Sequence, residues 1–391
     1  MSREPLIDRY LLLGLRLGKL VPGLVDAYYG PPELAARVDG DEPPDPGGLA
    51  AEAAELLSGL DGSITEPARA RWLRAQLVGL ETVAARLAGE DIPYADEVER
   101  CYGVRPSLVP ESEFARAHEA LDDVLPGRGP VKERYQAWQE SQIVPREWLL
   151  PAFEQLTAEL RGRTLDLFGL PDGESVELVL VENEPWLAFN YYLGDLRSRV
   201  AFNTDLPWRS TDLLTVVAHE LYPGHHTEHV WKESLLVRDE GQVEETALLV
   251  GTPQSLVTEA IATLAPEIVA GGDVDELAAR LLGPLGVPYE PEIASLVRAQ
   301  NETLGHVPDN AAYMLHEQGV PVDEVRDYAR RWALVSDERV DKGLQFVTDE
   351  TWRAYVFCYT EGLALARPFV AGDRARFQRL LTEQLVPADL A

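Results

Sequence analysis

Cysteine is nearly absent from this chain. Only Cys101 and Cys358 occur among its 391 residues, and they stand too far apart in sequence to form a metal-binding pair of the C-x-x-C type. Two isolated cysteines are typical of buried thiols in a reducing compartment. The sequence therefore gives no indication of a cysteine-based metal site.

Long apolar runs are also missing. No stretch of about 18 apolar residues occurs, so the sequence predicts no helix that spans a bilayer. The N-terminal stretch MSREPLIDRYLLLGLRLGKLVPG is interrupted by Asp8, Arg9, Arg16 and Lys19, and no small-residue cleavage site follows it. We therefore expect no signal peptide, no membrane partner and a cytoplasmic location.

Basic residues are scarce relative to acidic ones. The 35 Lys and Arg side chains stand against 66 Asp and Glu, which gives a net charge of −31. A field of that sign disfavours nucleic acid and anionic membrane surfaces as partners. The hydrophobic content of 46% is that of an ordinary globular protein, and the charge says little about the fold.

Amphipathic helix accounts for most of the sequence. In residues 5–27 apolar side chains recur at spacings of three and four, which predicts a helix with one buried face. The same pattern recurs in 48–60, 66–89, 112–124 and 131–168, between short loops rich in Pro and Gly. We predict a mainly α fold with an N-terminal helical region, 1–170, and a catalytic-like region, 171–391, joined in one unit with a cleft.

The segment 174–203 departs from the helical pattern. SVELVLVE (175–182) and RSRVAFN (197–203) alternate and are β-branched, which predicts a strand pair, with a turn at Gly194 between them. A helix follows, capped by Ser210 or Thr211. We therefore expect a small sheet or hairpin next to this helix.

Four of the seven histidines lie in AHELYPGHHTEH, residues 218–229. The stretch begins like the helical zinc motif H-E-x-x-H, but Pro223 occupies the position of the second histidine. In an unbroken helix His225 would point about 120° away from His219, and His226 would lie about 10 Å along the axis. Neither the direction of His225 nor the distance to His226 would let either residue share one ion with His219.

Pro223 and Gly224 change this geometry. Proline removes a backbone donor and clashes with the preceding turn, so the helix should kink or bulge, and glycine permits the dihedral angles needed to resume it. Such a break can bring His225 beside His219, although His226 stays an alternative second ligand. His229 is expected to be a supporting or surface group. Glu220 would then lie beside the metal as general base.

A third ligand is predicted on a nearby helix. Glu259 lies in SLVTEAIATL, and a carboxylate in so apolar a segment is costly unless it is paired or binds a metal. A buried salt bridge is the alternative. Glu244 and Glu245 are also near, but VEET suggests a solvated helix face. Three protein ligands with one open position are typical of catalytic Zn²⁺.

HELYPGHH resembles the H-E-x-x-P-G-H-H signature of a large bacterial family known as a domain of unknown function. That family is grouped with the helical zinc peptidases called gluzincins, such as carboxypeptidase Taq, angiotensin-converting enzyme and thimet oligopeptidase, whose helix has H-E-x-G-H. Alignment on the shared Gly-His supports a two-residue insertion, and dipeptidyl peptidase III also has a stretched motif. The resemblance extends to FNYYLGDLRSRVAFNTDLPW and to WRAYVFCYTEG (352–362). Glu259 precedes Ala260-Ile261 where the family shows Gly-Trp.

The resemblance implies a helical gluzincin-like metallopeptidase fold, with His219, His225 and Glu259 on Zn²⁺ and Glu220 activating water. In such enzymes a tyrosine or histidine from a later helix stabilises the oxyanion. The candidates here are Tyr359, Tyr355, His306 and His316.

A substrate peptide could interact with the protein in two further ways. The strand RSRVAFN could pair with an extended peptide by edge addition. Arg197, Arg199 or Arg367 could hold a substrate carboxylate.

The sequence thus favours a zinc-dependent metallopeptidase that hydrolyses short peptides. Alternatives are a catalytically inactive metal-binding or peptide-binding protein on the same scaffold, a non-peptide metallohydrolase, and a non-haem iron oxygenase with two His and one carboxylate. Glu220 directly after the first histidine favours zinc hydrolysis, because a purely structural site needs no base. The sequence does not define the substrate or the oligomeric state.

Overall fold

Proline marks the start of every helix in the first part of the chain. A computed structural model describes residues 4–184 and 186–391. The first eight helices are α1 Pro5–Leu20, α2 Pro32–Gly40, α3 Pro46–Ser63, α4 Pro67–Leu87, α5 Tyr94–Tyr102, α6 Glu111–Val124, α7 Val131–Ser141 and α8 Arg146–Phe168. The first four begin with proline itself, and the other four directly follow one. Proline suits this position because the first turn leaves its N–H groups unpaired.

The predicted helix over 131–168 is in fact two helices, α7 and α8. The break falls between Ser141 and Arg146, where Pro145 lacks the N–H that a continuous helix needs. The Val144 N–H donates instead to the Trp208 carbonyl at 2.8 Å, and the Ser210 N–H donates to the Gln142 carbonyl at 2.8 Å. The linker is thereby fixed to the segment that leads into the histidine-bearing helix.

In the described residues 204–391, ten α-helices follow the sheet region. They are α9 Ser210–Glu220, α10 His225–Lys232, α11 Pro253–Ala270, α12 Val274–Leu282, α13 Pro291–Leu304, α14 Val307–His316, α15 Val322–Trp332, α16 Asp337–Thr348, α17 Phe357–Val370 and α18 Arg374–Thr382. A π-helical segment, Glu233–Asp239, continues α10, and short 3₁₀ turns lie at Val243–Thr246, Gly283–Leu285 and Pro387–Asp389. Neither Ser210 nor Thr211 caps α9, which begins after Arg209.

In the described part of the chain, two small sheets accompany the helices. Strands β2 Ser175–Val181, β3 Ala188–Gly194 and β4 Arg197–Asn203 form one sheet in the order β2-β4-β3. The predicted strand pair is present, but β2 and β4 are parallel, and the aromatic segment between them forms the third strand, antiparallel to β4. The second sheet, which the sequence did not predict, pairs β1 Val25–Tyr28 with β5 Ala247–Leu249.

Helix α11 lies at the centre of the packing that positions the histidines. It contacts α9 on one side and α17 on the other. Gly362 of α17 permits close approach to α11, since a Cβ there would lie 3.0 Å from the Leu256 carbonyl oxygen. On its other face α9 packs against α8 and β3, with Phe153 stacked on Phe202 at 3.9 Å between ring centroids in the adjoining core.

The fold is therefore mainly α with a small sheet beside α9, as predicted. The largest apolar core combines side chains from both predicted regions of the chain, including Leu13, Leu77, Leu256 and Phe357. Cys101 and Cys358 are both buried and free, as expected. Within residues 4–184 and 186–391, no helix has the length and apolar character needed to cross a bilayer.

Candidate metal centre

The helix that carries His219 ends one residue later, at Glu220. Leu221 leaves the helical region, with φ −120° and ψ −83°, and the Tyr222–Pro223 peptide bond is cis. The Gly224 N–H donates to the Ala218 carbonyl at 3.0 Å, so the chain folds back closely over the end of α9. A Cβ on Gly224 would lie 1.8 Å from the His219 carbonyl oxygen, so only glycine fits there.

The break brings His219 and His225 together, and α11 adds Glu259. One ligand atom from each of these three residues lies within 4.8 Å of the others. His219 Nε2 is 3.5 Å from Glu259 Oε2, and His225 Nε2 is 3.9 Å from Glu259 Oε1. The two imidazole rings are nearly perpendicular, with centroids 4.7 Å apart. Their nitrogens and the carboxylate thus converge on one point.

The three side chains fit a divalent cation. Burial lowers the pKa of His219 to about 4, against a smaller effect of a backbone hydrogen bond with Ala262, and burial also lowers the pKa of His225 well below its usual value. Both rings are therefore neutral near pH 7 and can offer lone pairs. Burial raises the pKa of Glu259 to about 8, and its Oε2 has no hydrogen-bond partner. Two neutral imidazoles and one buried carboxylate are a typical donor set for catalytic zinc.

A buried salt bridge does not account for Glu259. No Lys or Arg in the described part of the chain forms an ion pair with it; its neighbours are the two neutral histidines and Tyr355. The Tyr355 hydroxyl donates to Glu259 Oε1 at 2.6 Å. This hydrogen bond opposes, but does not cancel, the effect of burial on the pKa of Glu259. The alternative considered from the sequence is therefore absent from the described residues.

Glu220 lies in the wall of the same cavity. Burial raises its pKa to about 8, and the negative charges of Glu259 and Asp26 add to the effect. Its backbone carbonyl accepts a hydrogen bond from Asn190 Nδ2 at 2.6 Å, which ties the end of α9 to β3. The cavity has a volume of about 620 Å³, and His219, His225 and Glu259 line it as well.

His226 of α10 lies in a separate polar network. Its Nε2 is 2.8 Å from Glu174 Oε2 and its Nδ1 is 2.8 Å from Ser198 Oγ. Glu174 also accepts hydrogen bonds from Tyr222 and Arg161. Both ring nitrogens of His226 are occupied and the side chain is fully buried, so the structure places His225, and not His226, beside His219.

His229 also lines the cavity, one helical turn after His225. Its ring is parallel to that of His225, with centroids 6.1 Å apart, and packs against Tyr192. Burial lowers its pKa to about 4. The sequence suggested a supporting or surface position, and the structure shows a buried histidine whose ring lies parallel to that of His225.

Of the residues proposed for oxyanion stabilisation, the two tyrosines lie in the cavity wall and the two histidines do not. Tyr359 and Tyr355 line the cavity, and their rings meet edge to face at 5.7 Å. His306 pairs with Asp309, and His316 contacts the Val347 carbonyl oxygen. Neither histidine borders the cavity.

The residues suggested for substrate binding outside the metal site lie elsewhere. Strand β4 is central, paired on both sides, so RSRVAFN cannot add a peptide strand; the edge strands of this sheet are β2 and β3. Arg197, Arg199 and Arg367 do not border the cavity. Arg197 pairs with Asp195, and Arg199 pairs with Glu177. Arg367 pairs with both Glu267 and Glu302.

Glu244 and Glu245 are fully buried, against the expectation of a solvated face. Arg69 contacts both carboxylate oxygens of Glu244, and Glu245 accepts hydrogen bonds from Gln254 and Gln384. Buried carboxylates of this kind persist because every oxygen can find a donor. The polar pattern VEET was ambiguous, since it does not reveal partners so distant in sequence.

Comparison with protein-family models gives no match, and neither does comparison with curated proteins. A proposed lipoprotein from Colwellia psychrerythraea is similar in structure, with a TM-score of 0.55 and 17% identity over 92% of this chain and 68% of that one. A proposed lipoprotein of unknown function from Shewanella oneidensis has a TM-score of 0.50 and 12% identity over 92% of this chain and 71% of its own. At these identities the likeness shows the fold alone, and the relation to gluzincins stays a prediction.

Several cavity residues were not among the site residues predicted from the sequence. They are Asp26, Glu184, Trp186, Phe189, Asn190, Gln254, Lys342, Phe346, Asp349 and Trp352. Asp26 is a single carboxylate in the short strand β1, far in sequence from the histidines. Nothing in its local pattern distinguishes it from a surface aspartate, so only the pairing of β1 with β5 reveals its position.

Proposed function

We propose that this chain is a zinc-dependent metallopeptidase that hydrolyses short peptides. The observation that carries the proposal is the convergence of His219, His225 and Glu259 in one cavity, with Glu220 in the wall beside them. The three ligands leave room for a water molecule and a substrate group, as a catalytic zinc site requires. A purely structural site would be closed by a fourth protein ligand.

His219, His225 and Glu259 would hold the metal, and Tyr355 orients Glu259 through its hydroxyl. Bound there, Zn²⁺ would supply Lewis-acid chemistry, polarising a carbonyl group and lowering the pKa of water. Glu220 is the general base: its carboxylate takes a proton from the attacking water and passes it to the leaving amine nitrogen. Tyr359, whose ring borders the cavity, is the proposed donor to the developing oxyanion.

The volume and lining of the cavity favour a small substrate. About 620 Å³ is in the range that holds a few amino-acid residues. Trp186, Phe189, Phe346 and Trp352 contribute aromatic surface, and the edge strand β3 borders the same space. A short extended peptide matches this combination of apolar walls and an unpaired strand edge.

Two alternatives keep the same metal ligands. A non-peptide metallohydrolase would also use Glu220, whereas an iron oxygenase with two His and one carboxylate would not need it. An inactive binding protein would need no base at all. The position of Glu220 in the cavity wall favours hydrolysis over an iron oxygenase and over an inactive binding protein.

Metal analysis combined with the substitution Glu220→Gln tests the proposal. We expect about one zinc per chain in the parent and in the variant, and loss of peptide hydrolysis by a factor of at least about 10² in the variant. Glu177→Gln, at an exposed position of β2 outside the cavity, is the control and should hydrolyse peptides as the parent does. A metal-free protein from a preparation without chelators, or full activity of Glu220→Gln, would refute the proposal.

A further inference from the structure

The titratable side chains that line the cavity are mostly acidic. Five carboxylates line it, those of Asp26, Glu184, Glu220, Glu259 and Asp349. Among the described lining residues Lys342 is the one Lys or Arg, and it already forms an ion pair with Glu338 at 3.2 Å. A divalent metal would offset two of the five, Glu259 as ligand and Glu220 beside it. Three carboxylates then remain for one lysine that is already paired.

Asp26 is the most distinctive of these three. It lies on β1, and its negative charge raises the pKa of both Glu220 and Glu259, after the larger effect of burial. Its side chain is open to the cavity, while protein surrounds it closely enough to raise its own pKa to about 6. No hydrogen bond or ion pair of Asp26 occurs among the described residues. A carboxylate held in such a position lacks the cation that would stabilise it.

A second observation, independent of the charges, also indicates a missing donor. Asn190 lines the cavity from β3 with its side chain more than nine-tenths buried. Its Nδ2 donates to the Glu220 carbonyl at 2.6 Å, which fixes the orientation of the amide, and its Oδ1 has no hydrogen-bond partner. Gln254, also in the wall, has an unpartnered Oε1. Buried acceptors without donors are uncommon and indicate groups that a ligand can satisfy.

The charge balance also argues against recognition of a substrate carboxylate. A carboxypeptidase needs a free cation to hold the C-terminal carboxylate of its substrate. The arginines suggested for that role are paired elsewhere, and the single lysine in the described wall is paired with Glu338. An anionic group entering this cavity would meet like charges without compensation, whereas a cationic group would meet Asp26.

We propose that the cavity selects substrates with a positively charged amino group, which Asp26 holds by an ion pair and the unpartnered acceptors of Asn190 and Gln254 assist. This deepens the metallopeptidase proposal and rests on it. The amino group can be the free α-ammonium of a peptide or the side chain of a lysine residue. Both groups carry a positive charge, which would pair with the Asp26 carboxylate, and N–H donors, which would satisfy the unpartnered amide oxygens.

Peptide binding to the Glu220→Gln variant, measured by isothermal titration calorimetry, tests the selection without turnover. Three tetrapeptides of equal length are compared: one with a free N-terminus and norleucine, one N-acetylated with lysine, and one N-acetylated with norleucine. We expect at least one of the two charged peptides to bind about ten-fold more tightly than the uncharged one. Which of the two does so identifies the source of the amino group.

Asp26→Asn in the same background should remove this preference, because the amide keeps the shape of the side chain and loses its charge. Asp39→Asn, at an exposed position of α2 outside the cavity, is the matched control and should keep it. The proposal is overturned if neither charged peptide binds more tightly than the uncharged one, including the case in which none binds. It is also overturned if Asp26→Asn keeps the full preference.

The outcomes for charge selection and for catalysis are separable. A lost preference together with Glu220-dependent hydrolysis by the parent would refute the selection and leave the catalytic role intact. A clear preference together with hydrolysis that survives Glu220→Gln would refute the catalytic role and leave the selection intact.

Discussion

The hydroxyl of Tyr355 lies 2.6 Å from Glu259 Oε1, and the other oxygen of Glu259 faces His219 Nε2 at 3.5 Å. This arrangement links the turn just before α17 to the candidate metal centre through Glu259 of α11. Since Oε2 has no hydrogen bond of its own, the tyrosine sets which oxygen is free for a metal. Groups that orient a metal ligand in this way contribute substantially to metal affinity.

Replacement of Tyr355 by phenylalanine should therefore weaken zinc binding. We expect an affinity about ten-fold lower, since loss of an orienting hydrogen bond commonly costs a factor of about 10 to 100. Competition with a chromophoric chelator measures the change. Tyr328→Phe, whose hydroxyl contacts Asn310 away from the cavity, is the control and should bind zinc as the parent does. Equal affinities for the two variants would contradict the role given to Tyr355.

The substitutions His225→Ala and His226→Ala should affect different properties, zinc binding in the first case and thermal stability in the second. We expect His225→Ala to lose stoichiometric zinc, because its Nε2 lies among the converging ligand atoms. His226→Ala should keep zinc but unfold at a lower temperature, because it removes one of the hydrogen bonds to the buried Glu174 carboxylate and the partner of the Ser198 hydroxyl. Metal content of the purified variants and thermal unfolding decide between these outcomes. Loss of zinc from His226→Ala alone would reverse the assignment.

Gly224→Ala should disrupt the connection between α9 and α10. A Cβ there would overlap the His219 carbonyl oxygen at 1.8 Å, so the backbone must shift and take His219 or His225 with it. We expect destabilisation of at least about 2 kcal/mol, as for other overpacked sites, together with weaker zinc binding. Gly59→Ala, at an exposed position of α3 with no atom within 4 Å, should be stabilising by about 0.5–1 kcal/mol. Denaturant unfolding of both variants compares them directly.

The network of Glu174 should make stability depend on acid pH. Burial alone would raise the pKa of Glu174, but hydrogen bonds from His226, Tyr222 and Arg161 outweigh it and lower the pKa to about 2. A pKa lower in the folded state than in the unfolded state stabilises the fold above the unfolded value of about 4.3, and this contribution is lost as pH falls toward 2. The contribution is on the order of 2–3 kcal/mol.

Unfolding free energies of the parent and of Glu174→Gln between about pH 2 and pH 6 measure this contribution. We expect the two curves to converge toward the acid end. Protonation removes from the parent the stabilisation by the ionised Glu174 carboxylate, which the variant lacks at every pH. Glu177→Gln, whose carboxylate pairs with Arg199 at an exposed position, should show no such convergence. Parallel curves for parent and Glu174→Gln would mean that the network does not hold this carboxylate ionised.

The sequence predicted much of the local structure correctly. The apolar period of three and four residues gave the mainly α fold, since it reflects only the geometry of a helix with one buried face. The Pro223-Gly224 pair predicted an interrupted helix, because proline lacks a donor and glycine tolerates close approach, and the structure has the break there. Local patterns failed where partners are remote. The parallel pairing of β2 with β4 and the burial of Glu244 depend on contacts with distant segments.

The candidate site also combines features that the local sequence predicts with features that depend on remote contacts. The sequence by itself determined which residue types could bind a metal and the short spacing between His219, Glu220 and His225, because these lie within one helix and its continuation. Only the tertiary structure decided that His226 turns toward Glu174, that Tyr355 reaches Glu259, and that Asp26 faces the same cavity. The physical reason is that spacing along a chain fixes direction within one helix, whereas the distance between two helices or strands is set by how their apolar faces pack.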